Sequence, residues 1–351
     1  MVQGANTLPR VIWASARNPS PYRDAVYSCC LLGDVVYAVG LDESSGLGTQ
    51  RYRIESRSAS DGGILNTWRD DKVHHFASLF DCISLKDKVY VVGATEGFWS
   101  ILVFDRELGL IQRKDFEKPR FIPYSVDTDG KLLYIAGVEI GENTTSIHVE
   151  AVSPDDLSQV GVYTSNPRGR GAGAYTILYD SEMKRLLVGG YDNIDGFRSF
   201  RVEMLSTELS LVAVIRPGIR GAVTSLSRGL RDTIYVGSKA GIVRVGIDGT
   251  VLSTNIHATG TKILYSTQPP VEGRVVVVTD NNLYVLDEGL TQLDTMRLAR
   301  GTEVLAATIG KIVADTSAVY IAMTQMLSDV DWGWSILAVD PRPRRFRFFG
   351  R

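Results

Sequence analysis

Residues 88–105, KVYVVGATEGFWSILVFD, hold two apolar runs, Val89 to Val92 and Ile101 to Phe104, separated by a glycine-containing turn. Runs this rich in β-branched and aromatic residues read as a hairpin. The second run returns near the end of the chain, Trp99-Ser100-Ile101-Leu102-Val103-Phe104-Asp105 against Trp334-Ser335-Ile336-Leu337-Ala338-Val339-Asp340. The chain therefore contains an internal repeat.

With Tyr90 as a marker, equivalents stand at Tyr37, Tyr134, Leu187, Tyr235, Val277 and Tyr320, at separations of 42 to 53 residues. That spacing matches propeller blades of four strands. Each marker strand has one apolar segment before it, such as FASLFDCISL from Phe76, and two after it, such as WSILVFD and LIQRKDF. The reading is an all-β, seven-bladed propeller of four-stranded blades, spanning 1–351 as a single domain. A β-sandwich lacks a sustained repeat of this length, and the coils of a β-helix are shorter. Closing a ring of blades calls for a shared blade, and Val11-Ile12-Trp13-Ala14 is a strand left over before the first unit. It is expected to pair with the last blade beside Phe346 to Phe349.

These residues give the chain a resemblance to degenerate kelch-type propellers. The kelch signature is a glycine pair ending the second strand, followed by an aromatic residue near the third. Leu187-Val188-Gly189-Gly190-Tyr191 leading to Phe200 fits it best. One glycine remains at Gly40, Gly93, Gly137 and Gly237, and the last two blades have none. The resemblance covers the whole chain as architecture and five blades as motif. It implies a binding module, although some propellers of this kind are enzymes. The tryptophan-aspartate pair of another large propeller class is absent.

Composition narrows the function classes. The chain is 44% hydrophobic and 22% charged with a formal net charge of −2, an ordinary globular profile that speaks against a nucleic-acid binder. No apolar run approaches the roughly 20 residues that span a bilayer, and no signal-peptide core opens the chain. Three cysteines in 351 residues do not form a disulfide scaffold, so the expected setting is the cytoplasm, with Cys29 and Cys82 as free buried thiols. Arginine outnumbers lysine 28 to 10, a bias compatible with a thermophilic source. The expected form is a monomer without a cofactor.

In a propeller, the loops from each outer strand to the next inner strand share one face with the loops joining second and third strands. Those loops carry Arg23, Lys72 with His74 and His75, Arg120, Arg168 with Arg170, Arg220, His257 with Lys262, and Arg300. Gathered around a funnel, such groups would attract a carboxylate, a phosphate or an acidic peptide. The alternative is that each pairs with an acid on a neighbouring loop, such as Asp42, Glu96, Asp192, Asp280 or Asp329. The stretch Asn166-Pro167-Arg168-Gly169-Arg170-Gly171-Ala172-Gly173 fits no phosphate-loop spacing and reads as a flexible loop whose arginines contact anions. His74 and His75 have metal-ligand atoms without a recognised metal spacing. His148, alternating with Ile147 and Val149, reads as an exposed strand residue. Trp99 and Trp334 read as blade-to-blade packing, whereas Trp332 is free to anchor a partner.

The leading expectation is a non-enzymatic propeller that recognises a partner protein or small anionic ligand on its basic central face. Its candidate site residues are Arg23, Arg120, Arg168, Arg170, Arg220, Arg300, Lys262 and Trp332. The alternative is a hydrolase or lyase in the same funnel, with His74, His75 or His257 as general base.

Overall fold

The computed structural model describes residues 9–117, 120–166, 171–255, 262–279, 282–298 and 306–342. Among them are seven four-stranded antiparallel sheets and no helix, arranged as the blades of one propeller. The inner strands are Ala25–Leu32, Ala77–Leu85, Phe121–Thr128, Ala172–Asp180, Ser225–Arg228, Lys262–Ser266 and Ala306–Ala314, for blades 1 to 7 in turn. Each of the first six blades is a four-strand meander in chain order.

Blade 7 closes the ring. Its outermost described strand is Arg10–Arg17, laid antiparallel on Trp332–Asp340 from Arg10 opposite Asp340 to Arg17 opposite Trp334. The leading strand thus sits directly on the third strand and covers its edge, while Phe346 to Phe349 lie outside the described residues.

The core is distributed rather than central. Seven apolar clusters each draw from two consecutive blades, including one that joins blade 7 to blade 1 through Ala38, Cys29, Tyr320 and Ile336. A blade is flanked by apolar neighbours on both faces, so its middle strands need no polar alternation. This is why Trp99 is fully buried, stacked on Phe116 at 4.0 Å, and why Trp334 is buried beneath the Arg53 guanidinium. It also corrects the expectation for His148, which is buried between Glu150 (3.1 Å) and Glu139 (3.3 Å). The three cysteines are free and buried. Burial pushes the Cys29 and Cys82 thiols far above their usual range.

The marker tyrosines recur because each hooks onto the next blade. Tyr37 donates to the Arg106 carbonyl (2.7 Å), Tyr90 to Pro154 (3.2 Å), Tyr134 to Thr207 (3.3 Å) and Tyr235 to Glu288 (3.0 Å). Tyr320 completes the circle on Ala59 of blade 1 (3.4 Å). Four of the turns so held also carry a leucine in the left-handed region, Leu108 (φ 65°), Leu157 (57°), Leu209 (62°) and Leu290 (70°). That conformation costs roughly 1–2 kcal/mol, and burying each leucine between blades offsets it by about 2 kcal/mol. Tyr37→Phe is expected to lower stability by about 1 kcal/mol, readable as a lower urea midpoint with an unchanged slope. An unchanged midpoint would remove the hook from the account.

Candidate functional site at the channel mouth

The seven inner strands surround a central cavity of about 430 Å³. In each of blades 1 to 4 the inner strand loses register with the second strand at one residue. Those residues are Tyr27, Phe80, Tyr124 and Tyr175. A β-bulge leaves one residue unpaired and re-aims its side chain. All four rings line the cavity. They form a continuous arc, with centroids 5.7 Å apart from Tyr27 to Phe80, 5.1 Å to Tyr124 and 5.2 Å to Tyr175. Tyr191 extends the arc at 5.7 Å, with the Arg198 guanidinium 4.3 Å above it and bonded to the Tyr175 hydroxyl (3.3 Å).

The glycines of the second strands make these bulges feasible. The residue before each bulge stands opposite Gly40, Gly93, Gly137 or Gly190. A Cβ on Gly190 would lie 1.8 Å from the Gly173 carbonyl oxygen, and one on Gly137 or Gly40 would lie 1.9 Å from a backbone oxygen. Backbone approach that close admits glycine alone. Gly190→Ala is therefore expected to cost about 1–3 kcal/mol by overpacking, and to shift the NMR signals of Tyr175 and Tyr191. A native-like spectrum would count against the close approach.

The position after the bulge carries the polar chemistry. Asp81 accepts from the Ser28 hydroxyl (2.6 Å), the Ser125 hydroxyl (3.0 Å) and the Val126 N–H (3.0 Å), and pairs with Lys311 at 3.1 Å. Ser125 serves the Ile177 N–H in the same way, and Ser225 the Ile263 N–H. Inner strands splay too far apart to bond one another's backbones, so these side chains satisfy the inward N–H groups. Burial would depress the Lys311 ammonium, but Asp81 together with Cys82 and Asp127 outweighs it and holds the group well above its usual range. On blade 6, beside the blade of Lys311 and across the ring from Asp81, Lys262 donates to the Thr224 carbonyl (3.2 Å), and burial pulls it down to about 8.

Of the residues singled out from the sequence, Lys262 lines the channel. Arg23 stacks on Trp332 at 5.3 Å and bonds the Asp329 carbonyl, so these two form one unit on the mouth-side loops. Arg220 lies 4.2 Å over Phe197, and Arg120 is exposed. Among the described residues none of Arg23, Arg120 and Arg220 has an ion-pair partner, whereas Asp42 and Asp192 are taken by the strand arginines Arg53 and Arg201. Arg168, Arg170, Arg300 and His257 lie outside the described residues. His74 sits 3.5 Å from Glu96 and edge-on to Phe98, away from the cavity lining, while His75 is exposed. Among the described residues no group of three or more His, Cys, Asp or Glu is placed to hold a metal ion.

The aromatic arc was not foreseen. Its signal is present nonetheless: Tyr27, Phe80 and Tyr124 each stand ten residues before their marker tyrosine.

Asp24, near the same mouth, accepts from Ser20 (2.7 Å) and the Glu43 N–H (2.9 Å). Burial, only partly offset by those donors, raises its carboxyl to about 6. The folded state therefore binds the proton more tightly than the unfolded state, and this contribution to stability, full below pH 4, is lost as pH rises through 6. Asp24→Asn is expected to raise the Tm at pH 7.5 and leave it unchanged near pH 4. A lower Tm at both values would contradict the sign.

No family model matches the sequence, and no curated protein matches it. Solved structures do. The WD40 domain of Neurospora crassa Pan2 is 7% identical, with 97% of this chain and 98% of that one covered and a TM-score of 0.63. Chaetomium thermophilum Sqt1, solved bound to the N-terminus of ribosomal protein L10, is 12% identical over 95% of this chain and 100% of that one, with a TM-score of 0.58. BamB from Moraxella catarrhalis is 11% identical over 93% of this chain and 97% of that one, at 0.50. At such identities the likeness is one of fold.

Proposed function

We propose that this chain is a protein-interaction propeller that receives a segment of its partner at the channel mouth. The observation carrying the reading is the arc of four bulge-borne rings, extended by Tyr191 and bordered by the Arg198 and Arg220 guanidiniums. Aromatic and arginine side chains dominate the energetics of protein interfaces. Rings held on β-bulges are also pre-organised, so little entropy is lost when a partner arrives. The fold shared with Sqt1, a propeller solved in complex with another protein's N-terminal segment, is compatible with this use.

The basic residues give the partner its sign. Arg23, Arg120 and Arg220 have no acidic partner among the described residues, so a partner segment with acidic residues beside apolar ones fits the mouth best. The kelch-like pattern enters here only as a shared device, since its glycines already have a local purpose in seating the bulges.

The test pairs identification of a partner by cross-linking with affinity measurements on two variants. Phe80→Ala/Tyr124→Ala with Arg220→Glu is expected to weaken binding at least a hundredfold and to flatten its salt dependence. A rim variant, Leu110→Ser/Val160→Ser, is expected to leave it unchanged. Loss in the rim variant with retention in the mouth variant would overturn the assignment.

A further inference from the structure

The channel is chemically two-sided. Phe80 and Tyr124 line it from blades 2 and 3, and Lys262 lines it from blade 6. In a ring of seven, blade 6 stands across the axis from blades 2 and 3. Aromatic side chains and a lysine therefore line opposite walls of a cavity of about 430 Å³, which Asp81 and Lys311 also line and which is within the size range of small-ligand sites.

Among the described residues Lys262 has no counter-charge of its own. Its ammonium donates to the Thr224 carbonyl, and among the described residues no carboxylate lies within ion-pair distance of it. The two acids lining the cavity are engaged elsewhere. Asp81 holds Lys311 and four other donors, and Asp127 accepts the N–H groups of Tyr179 (2.7 Å) and Thr128 (2.9 Å). Lys262 is half-buried, and removing an ammonium even partly from water with no carboxylate in reach among the described residues is costly, which is the direction of its lowered pKa. A ligand that supplies the missing negative charge would relieve it.

We propose that the channel binds an aromatic carboxylate, with the carboxylate on Lys262 and the ring against Phe80 and Tyr124. The same group is offered by a free aryl acid and by the C-terminal aromatic residue of a polypeptide. The site shares Phe80 and Tyr124 with the partner reading but takes its charge from Lys262 rather than from the mouth arginines, so Lys262→Met and Arg220→Glu tell the two apart.

The experiment is calorimetric titration of the full chain with phenylacetate, and with a hexapeptide ending in phenylalanine, as free acid and as amide. Binding of phenylacetate alone would assign a small-molecule site, and binding of the peptide acid but not its amide would assign a chain terminus. Either result is expected to weaken at least tenfold in Lys262→Met, which keeps the stem and removes the charge, and to be unaffected by Arg120→Met. Should Lys262→Met not fold, Tyr124→Ala carries the same expectation of weaker binding through loss of the ring contact. Absence of binding at millimolar concentration, equal affinity for acid and amide peptides, or unchanged affinity in the folded variants would overturn the proposal.

Discussion

Glu55→Gln is expected to destabilise the protein by about 3–5 kcal/mol, the loss seen when one member of a buried ion-pair network is neutralised. Glu55 is wholly buried between two arginines that are themselves buried. One carboxylate oxygen takes Nη2 of Arg53 at 2.6 Å, and the other takes Nη2 of Arg57 at 2.6 Å. Arg53 retains Asp42, but Arg57 keeps only the Ser15 carbonyl and hydroxyl, at 3.0 and 2.7 Å. Ser15 belongs to the closing strand, so the damage should appear there first. Hydrogen exchange is expected to show Arg10–Arg17 losing protection before any other strand. Replacing Glu55 and Arg57 together by apolar residues, with the Arg53–Asp42 pair left in place, should recover part of the loss, because the penalty lies in the orphaned charge. A Tm within a degree of the parent for Glu55→Gln would show that the network contributes little.

The second large effect is expected at Asp81. In Asp81→Ala the Lys311 ammonium loses its carboxylate, and the hydroxyls of Ser28 and Ser125 and the N–H of Val126 lose their acceptor. The expected loss is again about 3–5 kcal/mol. Lys311→Met should be much milder, since Asp81 would keep every one of its neutral donors. A double-mutant cycle measures this asymmetry directly. Equal losses in the two single variants would mean that the ion pair, rather than the stitching of inner strands by Asp81, is what matters. Asp81 ties together blades 1, 2, 3 and 7, so its removal should also blur the aromatic arc that depends on their spacing.

The architecture was legible because propeller blades repeat and hydrophobic patterning survives where motifs decay. The recurrence of WSIL at Trp99 and Trp334 reports two third strands buried in the same way, and the marker tyrosines report a hydroxyl that must reach the next blade. His148 shows the limit of such reading. Alternation with apolar neighbours ordinarily means one wet face, but in this ring both faces of a third strand are covered, and a polar residue there must find buried partners.

The site was legible only in part. Lys262 could be placed near the axis by counting strands, and Arg23 with Trp332 by locating loops. The arc of Tyr27, Phe80, Tyr124 and Tyr175 could not, because regular alternation assigns each residue to a face and a bulge resets that assignment by one residue. Sequence alone therefore determined the number of blades, their strand order and the residues packed between them, since these follow from local periodicity repeated along the chain. Which side chains face the axis, which acids neutralise which arginines, and which lysine lacks a counter-charge among the described residues were decided by the closed ring. It brings together residues from all seven blades at distances that no spacing in the chain encodes.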